Sequence, residues 1–170
     1  MGLTLREWAT IFHGIALGGG FLLLFTGAMA GLHGLRAAAL TGEGQRGQLA
    51  LLRMVTSLMA AVAWLTVISG TWVINPWYRS ASPTSPRSIL VANPTTRAWH
   101  EFAFRLKEHI GWFSPILATV VAFVVAYYGS TLVNNNQLRR ALMVLLSLAF
   151  VFATVAALFG ALVSKVAPVQ

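Results

Sequence analysis

The stretch WATIFHGIALGGGFLLLFTGAMAGLHGL, Trp8 to Leu35, decides the fold. It holds no Asp, Glu, Lys or Arg, and it exceeds the roughly 20 apolar residues that a helix needs to cross a bilayer core. Three further stretches share this character: Met54 to Tyr78, His109 to Leu138 and Ala141 to Ser164. All twelve Lys and Arg and all four Asp and Glu lie outside these four stretches. Backbone groups in lipid must be satisfied internally, so each stretch predicts a helix. The expected spans are 9–33, 51–74, 109–132 and 140–163.

Composition agrees. The 170 residues are 57% hydrophobic and 9% charged, against about 25% charged in an ordinary soluble domain. The expectation is an all-α, up-down-up-down bundle of four transmembrane helices in one domain, 1–170, integral to a membrane. The formal charge of +8 is spread over connections and ends. It reads as surface anchoring rather than as a nucleic-acid patch. Cysteine is absent, which excludes disulfides, cysteine-ligated zinc or iron–sulfur clusters, and thioether-attached haem. The first stretch is longer than the core of a cleavable leader and has a single basic residue, Arg6, before it; it is read as a retained helix.

Four spans put both termini on one face of the membrane, side A, together with the long connection 75–108. Side B carries the connection 34–50 and the turn Asn134–Gln137. Short-loop basic residues on side B (Arg36, Arg46, Arg53, Arg139 and Arg140) place that side in the cytoplasm. The expected location is the bacterial inner membrane, with the termini outside. Within the long loop, prolines and serines predict irregular chain over 76–94. Asn93-Pro94 reads as a helix start. An extra helical extension then precedes helix three, with Arg97, Glu101, Arg105 and Glu108 on one side and Trp99, Phe102, Leu106 and Phe113 opposite. Pro115 predicts a kink. Trp8, Trp72, Trp77, Trp99 and Trp112 gather near side A, as an interfacial belt or a docking surface for a protein partner.

Ionisable side chains at membrane depth are costly and tend to be functional. Apart from Tyr127 and Tyr128, those inside the stretches are His13, His33 and His109. His13 and His109 both enter from side A, on helices that a four-helix bundle places diagonally. Gly20 and Gly27 fall near the face of His13. They read either as tight helix packing or as a smooth groove under the imidazole. His33 sits near side B as an interfacial histidine. His100 is a substitute for His109 if helix three begins earlier.

In its four-helix plan and its His13/His109 placement the chain resembles a small membrane-embedded b-type cytochrome. That resemblance implies one haem b with iron between His13 and His109 as metal ligands, a second-shell acceptor at Thr10 or a backbone carbonyl, and propionates near Arg79, Arg87 and Arg105. It implies electron transport as a complex subunit of a respiratory chain, between a side A partner and quinone or another redox centre. The alternative is a non-catalytic anchor subunit of a larger complex. The spans lack the carboxylates of a coupled transporter. No hydrolase or phosphate-binding motif is present, so a self-contained enzyme is not indicated.

Overall fold

A computed structural model describes residues 2–35 and 42–167, and these contain helices and no strand. Four helices are long and apolar enough to cross a membrane: α1 (Leu5–Gly34), α2 (Gly42–Tyr78), α4 (Trp99–Leu132) and α5 (Asn136–Val166). A short helix, α3 (Pro86–Ala92), lies between α2 and α4. Packing runs α1 on α2, α2 on α4, α4 on α5 and α5 back on α1. This is the expected ring of alternating direction, with α1 and α4 diagonal. Arg36, one of the residues used for orientation, lies outside the described residues.

Each long helix overruns its expected span, because local chemistry rather than hydropathy fixes its end. Thr4 and Glu7 form a reciprocal cap at the start of α1: the Glu7 backbone N–H donates to Thr4 Oγ1, and Glu7 Oε2 accepts from the Thr4 backbone N–H at 2.7 Å. Asn135 caps α5, accepting from Leu138 N–H at 2.9 Å. The stretch 76–94 is not irregular throughout. Asn75–Tyr78 completes α2, and Ser85 with Pro86 at the first turn starts α3. Asn93 caps a turn instead of a helix: its Oδ1 accepts from Thr95 N–H at 3.0 Å. Helix α4 follows this turn. It breaks at Gly111–Trp112 and resumes at Phe113. Pro115 has no N–H to give to Gly111, so the predicted kink is a local break.

The core is a column of small and branched side chains from all four helices. Ala28, Leu32, Met59, Val121, Val125 and Leu146 are fully enclosed. On side B the column is closed by Arg139. Its guanidinium donates to the carbonyls of Leu132 and Val133 at 3.1 and 3.0 Å, and also to Leu35 O and Asn136 Oδ1. One cation thereby meets the carbonyl-rich ends of α1 and α4, where helix dipoles favour positive charge.

A candidate functional site at the side A end

Three helices wind into wide π-turns at the side A end: Phe12–Leu17 in α1, Gly70–Ile74 in α2 and Trp99–Phe104 at the start of α4. Such turns recur at functional sites because they re-aim side chains out of the regular ladder. Here they carry His13, the glycine against which it packs, and His100.

His13 turns toward α2. Its Nδ1 lies 2.8 Å from Ser69 Oγ. A Cβ at Gly70 would sit 3.0 Å from its Cε1 and 3.5 Å from its Nε2, so the imidazole lies against a position that only glycine leaves free. Ser69 Oγ also lies 3.1 Å from Thr66 O; with the hydroxyl donating there, it accepts from Nδ1–H, the tautomer that leaves the lone pair on Nε2. The expected orienting residue, Thr10, is engaged elsewhere: its hydroxyl donates to Arg6 O at 2.8 Å.

The structure does not bring His13 and His109 together. His109 is exposed, and its Nδ1 is 2.7 Å from Arg105 O, one turn back on its own helix. The inward-facing residue at this level is Lys107. It is half-buried, and its Nζ lies 3.0 Å from where a Cβ of Gly160 would stand on α5 and 5.3 Å from the Phe104 ring centroid. No carboxylate pairs with it among the described residues. Lys107 lies outside the uncharged stretch His109 to Leu138, yet it belongs to the same helix, which begins at Trp99.

The expected apolar stripe of α4 is corrected as well. Phe102 and Phe113 are 64% and 51% exposed, while His100, Ala103 and Phe104 are buried. The π-turn adds a residue to the first turn and rotates the buried face. His100 thereby enters a closed cluster. Its Nδ1 is 2.9 Å from Tyr78 Oη, and Tyr78 stacks on Phe104 at 3.6 Å between centroids. Leu90 of α3 and Val163 of α5 complete the packing. Glu108 pairs with Arg79 at 2.7 Å rather than with a neighbour on its own helix. Arg79 also lies over the Phe104 ring. Arg105 is exposed on the surface of α4.

Gly20 and Gly27 do not line an open groove. A Cβ at Gly27 would lie 3.4 Å from Val55, one at Gly20 3.9 Å from Val62, and one at Gly31 3.0 Å from Leu52. These glycines let α1 and α2 close up, the packing use of small residues. The tryptophans also partly hold one another. Trp112 meets Trp64 and Trp72 edge-on, each at 6.1 Å, and Trp64 Nε1 donates to Thr119 Oγ1 at 2.9 Å.

No group of three or more His, Asp or Glu suited to holding a metal ion occurs among the described residues. A haem draws at most two ligands from a chain, so this bears on multidentate ion sites and not on an axial histidine. His13 lies against α2 with Nδ1 at Ser69 Oγ, and His109 is exposed on α4 with Nδ1 at Arg105 O. No family model matches the chain, and no curated protein or solved structure matches it.

Proposed function

We propose that the protein is a membrane electron-transfer subunit that holds one b-type haem at its side A end, with His13 as an axial ligand. One observation carries this reading: an imidazole at membrane depth whose Nδ1 is fixed by Ser69 Oγ at 2.8 Å, with no hydrogen-bond partner for Nε2 among the described residues. Iron-ligating histidines are held in this way, with the outer nitrogen on an acceptor that sets the tautomer and the ring plane. Haem would supply one-electron carriage. The chain's own residues orient the imidazole, place the Lys107 ammonium near an acidic edge group, and exclude water with the packed column below. His109 enters this reading only as a surface residue. The bacterial inner membrane and a respiratory complex fit the same reading.

Reduced-minus-oxidised spectra of the protein purified from haem-replete cells test it. The reading predicts a b-type spectrum that is lost in His13→Ala and kept in His109→Ala. A colourless, folded protein overturns it.

A second reading, a non-catalytic anchor within a larger complex, is favoured by the surface around the same end. Trp8, Trp72 and Phe102 are 58%, 62% and 64% exposed there. Co-purification in mild detergent tests it, and a protein that runs alone counts against it.

A further inference from the structure

One arginine at the side B boundary lies across the contact of two helices with no anion to meet it. Arg53 is the last charged residue before the uncharged stretch Met54 to Tyr78. Its guanidinium lies against Gly129 of α4. A Cβ at Gly129 would stand 3.0 Å from Nη2, 3.2 Å from Nε and 3.5 Å from Cζ. Gly129 is buried and Arg53 is exposed. The cation thus covers α4 on one side and is open to its surroundings on the other.

Its depth follows from the helix ends. Gly129 stands three residues before the end of α4 at Leu132, about 5 Å along the axis. Asn134, Asn135, Asn136 and Gln137 follow, four exposed amides that belong among headgroups or water. The Arg53 guanidinium therefore lies where hydrocarbon gives way to headgroups, the level at which arginine tips settle.

The charges around it leave the cation unanswered. No carboxylate pairs with Arg53 among the described residues. Glu43, the acidic residue of α2, lies ten residues away, about 15 Å along the axis. Arg46 lies seven residues before Arg53, within about 20° of the same face, so a second cation stands above the first. Arg139 differs: it is nearly enclosed and spends its N–H groups on carbonyls. A free guanidinium fork matches a phosphate, which takes two parallel hydrogen bonds from it. At this level the bilayer itself supplies phosphates.

We propose that the α2–α4 groove on side B binds the headgroup of one anionic phospholipid, its phosphate on Arg53 and its remaining polar head toward Arg46. Two cations without a close carboxylate favour a net-negative head over a zwitterionic one. Gly129 makes the seat, since a side chain there would lift the guanidinium off α4. The proposal does not rest on haem at His13.

Native mass spectrometry of the detergent-solubilised protein, titrated with mixed micelles of phosphatidylglycerol and phosphatidylcholine, tests it. The expected result is one phosphatidylglycerol retained per chain, preferred over phosphatidylcholine by at least about tenfold. Arg53→Gln should cut that preference to about twofold or less. Arg140→Gln, the same change of charge at an exposed side B position, should keep it. Gly129→Ala keeps every charge, and its methyl meets only the end of the Arg53 side chain. That variant should melt as the parent does and yet lose the preference by at least about threefold; it carries the test if Arg53→Gln does not fold. No preference in the parent overturns the proposal. So do equal losses in Arg53→Gln and Arg140→Gln, which mean diffuse surface charge, and an unchanged preference in Gly129→Ala. The haem spectrum is recorded on the same samples, so failure of either proposal is seen without the other.

Discussion

The imidazole of His13 is tied to Ser69 Oγ across the α1–α2 contact, Nδ1 to Oγ at 2.8 Å. Residues 56 positions apart are thereby joined across two helices. Ser69→Ala removes the acceptor while leaving the ring in its place against Gly70. The expected cost in stability is about 1 kcal/mol. If His13 ligates iron, haem affinity falls by about ten- to a hundredfold. Thermal melting and haem titration of the same variant separate the two effects.

Gly70 leaves the room in which His13 lies. A Cβ there would stand 3.0 Å from His13 Cε1, so Gly70→Val pushes the ring off α2 and should destabilise the protein by about 1–3 kcal/mol. Gly20→Ala is the control. Its new methyl would lie 3.9 Å from Val62, an ordinary contact, so its melting temperature should match or exceed that of the parent. Equal losses in both variants would contradict this account.

Arg139 closes the opposite end. It serves three main-chain carbonyls and Asn136 Oδ1 from a nearly enclosed position. Arg139→Ala leaves buried acceptors unmet and should cost about 3 kcal/mol or more, since each such group carries its own desolvation penalty. Arg140→Ala, at an exposed neighbour, should stay within about 0.5 kcal/mol of the parent. Denaturant titration in detergent compares the two.

Tyr78 and His100 join the loop side of the bundle to the start of α4. Tyr78→Phe keeps the stack on Phe104 and deletes the hydroxyl that meets His100 Nδ1 at 2.9 Å. The expected loss is about 1–3 kcal/mol, because His100 then keeps a buried nitrogen without a partner. Hydrogen exchange should rise most in Pro86–Ala92 and Trp99–Phe104, which pack on this cluster.

The four spans were legible because apolar length is written directly in the chain, and the alternation of direction follows from each stretch crossing the bilayer once. The helix ends were not, since caps such as Thr4–Glu7 and Asn135 lie in stretches that hydropathy reads as loop. The larger misreading came from the π-turns. A fixed 100° step from Trp99 puts Phe102 and Phe113 on the packed face, whereas the wide turn at Trp99–Phe104 buries His100 and Phe104 instead. No residue in that segment announces a wide turn. The glycines of α1 divide in a way that sequence alone leaves open: Gly27 and Gly31 meet α2, while Gly14 and Gly18 meet nothing. The pairing of His13 with His109 relied on depth, and depth does not fix which way a side chain points.

The central claim is that His13, and not His109, presents its free nitrogen to a cofactor inside the bundle. Difference spectra of the parent, His13→Ala and His109→Ala proteins, purified side by side from haem-replete cells, test this most directly. The account predicts a b-type spectrum in the parent and in His109→Ala and its loss in a folded His13→Ala. A folded parent without haem, or a spectrum that survives in His13→Ala, contradicts it.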